Sequence, residues 1–306
     1  AVRHCYQVLK ETYRKEIYRK EAYHMETAGR STLKDKKRIV IKIGTSSLTH
    51  KDTKYLNLRV IESLARVITD LHNTGKDVVL VSSGAIAVGR QAMHIGQKPS
   101  STSEKQALAA IGQAQLIMAY KQVFSAYNQQ IAQLLLTKYT ILDDSSRKNA
   151  RNTFDELFAM NVVPIINEND TVATHEIEFG DNDRLGAIVA ALTDADLMLI
   201  LTDFDGLYTS DPSTDPGAVR IPLVPVITDE ILNMAGRGSS TDLGTGGMDA
   251  KLVASRMATD AGADVVIMNG SDPLNIYRVL DGQDIGTMFL AHEDPEFDLL
   301  KYISAY

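Results

Sequence analysis

The chain of 306 residues holds one cysteine, Cys5, no tryptophan and only eight prolines. A single thiol forms no intrachain disulfide, so the fold rests on its core, and the pattern fits a reducing compartment. Positive charge is also in short supply: 32 Lys and Arg face 39 Asp and Glu, a net charge of −7. A general nucleic-acid binder would need a basic face, so none is expected as a partner. No apolar run approaches the roughly 20 residues that span a bilayer, and a soluble, cytoplasmic protein with no membrane partner is expected. His50, His72, His94, His175 and His292 show no ligand spacing, and no metal site is expected. HExxH, Gly-x-Ser-x-Gly and the Walker A loop are all missing, and no Gly-x-Gly-x-x-Gly follows the first strand. Zincins, serine hydrolases, P-loop enzymes and Rossmann dinucleotide sites are thereby disfavoured.

What is present is a 44% hydrophobic chain, long enough to bury a sizeable core. Residues 1–37 differ from the rest, being rich in Tyr, Lys, Arg and Glu. Tyr13-Arg14-Lys15-Glu16 is nearly repeated by Tyr18-Arg19-Lys20-Glu21. A five-residue period lays no stripe along a helix, and the segment is too polar for a signal peptide and too acidic for a transit peptide. Residues 1–37 read as a leader or extension, irregular or disordered, with the folded domain spanning 38–306.

From Arg38 onward short apolar runs alternate with helical periodicity. Strands are expected at 38–43, 77–82, 131–136, 162–166, 197–201 and 265–268. Helices are expected around Val60–Leu71 (stopped by Gly75), 103–128, 147–160, from about Asp183, and 248–261, with a short helix and strand to close. Repeated β-α-β units predict an α/β fold: a largely parallel sheet covered by helices on both sides. Ligands of such sheets bind at the carboxyl ends of the strands. Each unusual polar cluster in this sequence follows one of those strands, which points to an enzyme.

Lys42-Ile43-Gly44-Thr45-Ser46-Ser47 places an ammonium in an apolar strand, where it is costly unless compensated. It could serve an anion beside the backbone N–H groups after it, or it could be an edge lysine before a turn, and the two readings are even. Ser82-Ser83-Gly84-Ala85 opens a helix in a form that suits an anion, although close packing alone explains the small residues. Asn167-Glu168-Asn169-Asp170 and Gly180-Asp181-Asn182-Asp183 set carboxylates and amides on two loops, suited to an ammonium group and to holding catalytic cations. Asp183 could simply cap the helix that begins there, but capping would not call for Asp181 and Asn182 as well. Thr202-Asp203 opens a polar loop that could hold a nucleoside or be a turn. Gly244-Thr245-Gly246-Gly247-Met248-Asp249-Ala250-Lys251 leads a glycine-rich loop into a helix with a lysine in its first turn. Backbone N–H groups and an ammonium could there converge on phosphates, against a plain surface loop as the alternative.

In this order, over about Arg38 to Phe289, these clusters resemble the amino acid kinase family. The resemblance is to the members that phosphorylate the γ-carboxylate of L-glutamate at the entry to proline biosynthesis. It implies a three-layer αβα sandwich, with the amino acid bound toward the N-terminal half and ATP toward the C-terminal half. Lys42 and Lys251 would flank the transferred phosphoryl group, Asp183 would hold both lysines, and Gly44 and Gly84 would offer backbone donors. Ser83, Asp170, Asn182 and Asp181 match the amino-acid site. Lys42, Thr202, Asp203 and Thr245–Lys251 (Thr245, Gly246, Gly247, Met248, Asp249, Ala250, Lys251) match the nucleotide site, with Mg²⁺ arriving on ATP. The family also implies proline as feedback inhibitor, glutamate-5-semialdehyde dehydrogenase as the next enzyme, and a homo-oligomer. Many bacterial members carry a further C-terminal PUA domain, and the chain looks like the short form without one. Sister activities on N-acetylglutamate, aspartate, carbamate, an isoprenoid phosphate or UMP remain as alternatives, as does a non-catalytic sensor on the same fold. Acidic groups at Asp170 and 180–183 favour a free amino acid over a phosphorylated acceptor.

Overall fold

The computed structural model describes residues 27–172, 181–235 and 247–304. Among them eight strands form one sheet: β1 Arg38–Ile43, β2 Asp77–Ser82, β3 Ile131–Leu136, β4 Val163–Glu168, β5 Leu197–Thr202, β6 Leu223–Val224, β7 Asp264–Asn269 and β8 Thr287–Phe289. Their spatial order is β3-β4-β2-β1-β5-β7-β8-β6. All pairings are parallel except β7 with β8. The helices are α1 Thr45–Leu48, α2 Leu58–Asn73, α3 Ala85–Ala92, α4 Thr102–Ala126, α5 Lys138–Leu142, α6 Asp144–Ala159, α7 Asn182–Leu192, α8 Asp229–Ala235, α9 Met248–Asp260, α10 Asn275–Leu280 and α11 Leu299–Ser304. No described helix is long and apolar enough to cross a membrane.

Strand alternation divides the core in two. Ile39, Ile41 and Ile43 of β1 turn to one face, against Val60, Ile61, Leu64, Val67 and Ile68 of α2 and Leu116, Tyr120 and Phe124 of α4. Val40 turns to the other, against Leu185, Ile188 and Val189 of α7 and Leu252 and Met257 of α9. The three-layer sandwich expected from the sequence is thus present. The apolar stripe of α2 lies buried as its spacing requires, and Asn57 caps its start by accepting from the Val60 N–H.

The two central strands, β1 and β5, lie side by side in register, Lys42 opposite Ile200. From β1 the chain moves toward β2; from β5 it moves toward β7. Their carboxyl ends therefore open a crevice at a topological switch point, where ligands of open α/β sheets bind.

The expected boundary at residue 38 needs correction. Leu33 is fully buried within the α2 core. Arg30, 2% exposed, donates to the carbonyls of Pro222, Gln283, Ile285 and Gly286 and to Asp284. Residues 27–37 are therefore part of the fold, joining the chain's beginning to the β6–β8 end of the sheet. Residues 1–26 lie outside the described residues.

Candidate active site

Lys42 sits on the Val40 face of β1, where α7 passes directly above. A Cβ added at Gly186 would stand 3.5 Å from the Lys42 Cβ and 2.6 Å from the end of the Met198 side chain, so the helix packs here in van der Waals contact with the strand. That approach brings Asp183, in the first turn of α7, onto the lysine. Lys42 Nζ is 2.6 Å from Asp183 Oδ1, and Lys251 Nζ, from the first turn of α9, is 3.2 Å from Asp183 Oδ2. The three are 6%, 0% and 3% exposed for Lys42, Asp183 and Lys251. Burial alone would raise the Asp183 pKa, but the charges of Lys42 and Lys251 outweigh it and hold the carboxyl below its ordinary range. The ammonium that looked costly in an apolar strand is compensated by a carboxylate 141 residues further along the chain, as the Lys42 and Asp183 numbering shows.

The side expected to take the amino acid is built on β2, β4 and the start of α7. Asn182 Nδ2 donates to Ser83 Oγ at 2.9 Å and to Asn167 Oδ1 at 2.9 Å. Asn167 Nδ2 in turn donates to Gln113 Oε1 on α4 at 2.8 Å. Below them the Ser82 hydroxyl meets the fully buried Tyr120 hydroxyl at 2.9 Å, and burial drives the Tyr120 phenol far above its usual pKa. Gly84 has φ +106, left-handed backbone that glycine adopts freely, and opens α3. α3 is pressed on α4 so tightly that a Cβ at Gly112 would lie 1.8 Å from the Ala85 carbonyl. Gly112 and Gly89, whose own Cβ would lie 2.0 Å from the Leu108 carbonyl, thus permit the helix crossing that holds the start of α3 in place. Asp170 lies half-buried in the turn after β4.

One expected role changes and one open reading closes. Gly44 was expected to present its N–H to a phosphoryl or carboxylate oxygen, but that N–H donates to the Leu201 carbonyl at 3.2 Å, tying the ends of β1 and β5 together. The cap of α7 is Asp181, whose Oδ1 accepts from the Arg184 N–H at 2.8 Å, not Asp183. Burial, then repulsion by Asp183, raises the Asp181 pKa. Asp181 therefore orients the helix that carries Asn182 and Asp183.

On the nucleotide side Thr202 ends β5 buried, its hydroxyl donating to Asp203 Oδ1 at 3.0 Å, while Asp203 is exposed. Gly247 precedes α9, and Met248, Asp249 and Ala250 form its first turn with Lys251. Thr245 and Gly246, like Phe179-Gly180, lie outside the described residues. Among the described residues no group of three or more His, Cys, Asp and Glu could hold a metal ion. Gln113 was not singled out from the sequence. Its signal was a lone amide in the buried register of α4, between Gly112 and Leu116.

A buried pair of lysines on one carboxylate at a sheet switch point, with the hydrogen-bonded Ser83, Asn167 and Asn182 beside it, is equipment suited to phosphoryl transfer. The chain belongs to the amino acid kinase family, whose model matches residues 37–269. Its relatives include the glutamate 5-kinase of Clostridium perfringens strain 13, 47% identical over 266 residues, 86% of this chain and 98% of that protein. The glutamate 5-kinase of Listeria monocytogenes serotype 4b (strain CLIP80459) is 44% identical over 269 residues, 87% and 97% of the two chains. That of Moorella thermoacetica is 48% identical over 264 residues, covering 86% of this chain and 69% of its own length. Among solved structures, UMP kinase from Bacillus anthracis aligns with a TM-score of 0.57 at 19% identity, over 85% of this chain and 97% of its own. Isopentenyl phosphate kinase from T. acidophilum gives 0.57 at 17%, over 82% and 99%. These two share the fold.

Proposed function

We propose that the chain transfers the γ-phosphoryl group of ATP to the γ-carboxylate of L-glutamate, as the names of its 44–48% identical relatives suggest. The observation that carries the chemistry is the Lys42–Asp183–Lys251 cluster. A carboxylate oxygen of glutamate forms a bond to the γ-phosphorus while the bond from that phosphorus to the bridging oxygen breaks. The electron pair leaves with ADP, and the product is an acyl phosphate. Both reactants are anions, so the main barrier the protein can lower is electrostatic. Lys42 on the acceptor side and Lys251 on the nucleotide side offset the charge spread over the phosphoryl oxygens. Asp183 holds the two ammoniums in fixed directions and keeps them from drifting onto bulk anions. No proton need be taken from a carboxylate nucleophile, and accordingly the site requires no general base.

Ser83, Asn182 and Asp170 bind the amino acid on this reading. Thr202, Asp203 and the turn that carries Gly247, Met248, Asp249, Ala250 and Lys251 bind the nucleotide, with Thr245 and Gly246 before them. Mg²⁺ supplies further charge neutralisation when it arrives on ATP. A cytoplasmic homo-oligomer, inhibited by proline and feeding glutamate-5-semialdehyde dehydrogenase, completes the proposal. An acyl phosphate is labile in water, so a reductive step must consume it promptly.

The test is incubation with MgATP and each of glutamate, N-acetylglutamate and aspartate, trapping product with hydroxylamine and following ADP. Hydroxamate is expected with glutamate alone, and Lys42→Ala and Lys251→Ala should each abolish it. Hydroxamate from another acceptor would move the substrate assignment, and ATP binding without turnover would remove the catalytic one.

A further inference from the structure

We propose that Gln113, a residue of α4 away from the reacting atoms, is a positioning residue that sets which end of the Asn182 amide meets the amino-acid substrate. The inference rests on the reading of the site as an amino-acid kinase and adds how the α-ammonium is recognised. An amide side chain has a donating and an accepting end, and only its hydrogen-bond partners decide which way it faces. Here the decision begins at a group that has no choice. The backbone N–H of Glu168 can only donate, and it donates to Asn167 Oδ1 at 2.9 Å. Asn167 Nδ2 must then point the other way, where Gln113 Oε1 receives it at 2.8 Å. Both Asn167 and Gln113 are buried, at 3% and 8% exposure, so water does not substitute for either contact.

With Asn167 Oδ1 fixed as an acceptor, Asn182 must turn its Nδ2 toward it, at 2.9 Å. The same nitrogen turns its other proton to Ser83 Oγ at 2.9 Å, with the Ser82 carbonyl a longer acceptor at 3.3 Å, so both protons are used. Two consequences reach the substrate. Nothing among the described residues donates to Asn182 Oδ1, so this amide offers an incoming ligand an oxygen, and an oxygen selects a donor: the α-ammonium. Ser83 Oγ, already accepting, keeps its own proton to donate, which selects a carboxylate. A row of neutral groups thus becomes a polar template for a zwitterion, with its sense fixed from Gln113 and the Glu168 amide. Without the Gln113 acceptor, the buried Asn167 Nδ2 loses its partner and only the Glu168 N–H opposes a flip of this amide; flipped, it lets Asn182 present Nδ2 to the ammonium, a donor against a donor.

Steady-state kinetics of the wild type, Gln113→Met and Gln113→Glu, with glutamate and with glutarate, test this. Glutarate keeps both carboxylates and lacks the ammonium. Gln113→Met matches the size of glutamine but accepts no hydrogen bond. It should raise KM for glutamate about tenfold while kcat and KM for ATP stay within about twofold, and leave KM for glutarate unmoved. Gln113→Glu keeps the accepting oxygen and should stay within about threefold of wild type. If Gln113→Met does not fold, Gln113→Asn, too short to reach Asn167, serves in its place. A side chain that merely fills space predicts a lower Tm and an unchanged KM for Gln113→Met; that result, or an equal loss for glutamate and glutarate, overturns the inference. A wild type that does not phosphorylate glutamate overturns the underlying functional reading, and it does so before any variant is compared.

Discussion

The two faces of β1 are made from adjacent residues and behave as different materials. On one, Ile39, Ile41 and Ile43 are fully buried in an apolar layer with α2 and α4. On the other, Val40 is followed by Lys42, and the layer under α7 and α9 is interrupted by two ammoniums and a carboxylate. The apolar face is stabilised by area removed from water and tolerates similar shapes. The charged face gains little net stability, because desolvation offsets most of the Coulomb attraction, but it fails badly when one partner is lost. The difference teaches that the fold could exist without the charged cluster, whereas phosphoryl transfer could not.

Lys42→Met should make the largest break in this contrast. It turns the charged face apolar while Asp183 keeps Lys251, so Tm should change little and kcat should fall by at least about 10³-fold. Thermal unfolding and hydroxamate formation on the same sample check both halves. Asp183→Asn should damage both properties: two buried ammoniums lose their counter-charge, at a cost of about 3–5 kcal/mol, and turnover falls with their loss of direction. Denaturant titration reads the first and single-turnover kinetics the second. Ile41→Ala, on the apolar face, should cost about 2–5 kcal/mol while kcat of the folded enzyme is unchanged. A marked fall in kcat there would show that the faces are not separable.

The smallest effect is the acid limb. Asp183 has a folded-state pKa lowered from the ordinary 3.8. Its stabilising contribution is therefore fully present above that unfolded-state value and is lost as pH falls from there through the depressed folded value. Asp181, whose folded pKa is raised by burial and by Asp183, runs the other way: protonation favours the folded state, and its contribution is lost as pH rises through the raised value. The difference in unfolding free energy between wild type and Asp183→Asn, followed downward from about pH 6, should shrink only at the acid end.

Most of the sheet was legible because β1, β2, β4, β5 and β7 are short apolar runs bounded by turn residues, and α2 carries an unbroken stripe. The helix expected from about Asp183 begins at Asn182, and β7 runs one residue further at each end than the 265–268 strand. β6 is two residues long and pairs with β8 far along the chain, so no local pattern marks it. Lys42 and Asp183 were legible as anomalies, a charge among apolar residues and an acidic cluster after a strand. That Asp183 would hold both Lys42 and Lys251 came from the family resemblance, since no local pattern links the three. Which aspartate caps α7 was open in the sequence, because Asp181 and Asp183 are equally good capping residues and only backbone geometry chooses between them. The role of Gly44 depended on a carbonyl of β5, and the place of Arg30 on carbonyls more than 190 residues away. Such contacts are properties of the assembled sheet, and nothing near either residue in the chain announces them.

Sharing one carboxylate between two lysines has a consequence for leaving as well as for reacting. Two positive charges and one negative leave the cluster with a single unit of positive charge. A doubly positive, dry pocket would grip ADP and an acyl phosphate as firmly as the migrating phosphoryl group, and turnover would stall on departure. Half-neutralised in advance, the cluster draws anions in without becoming a trap for them, and each cycle can end.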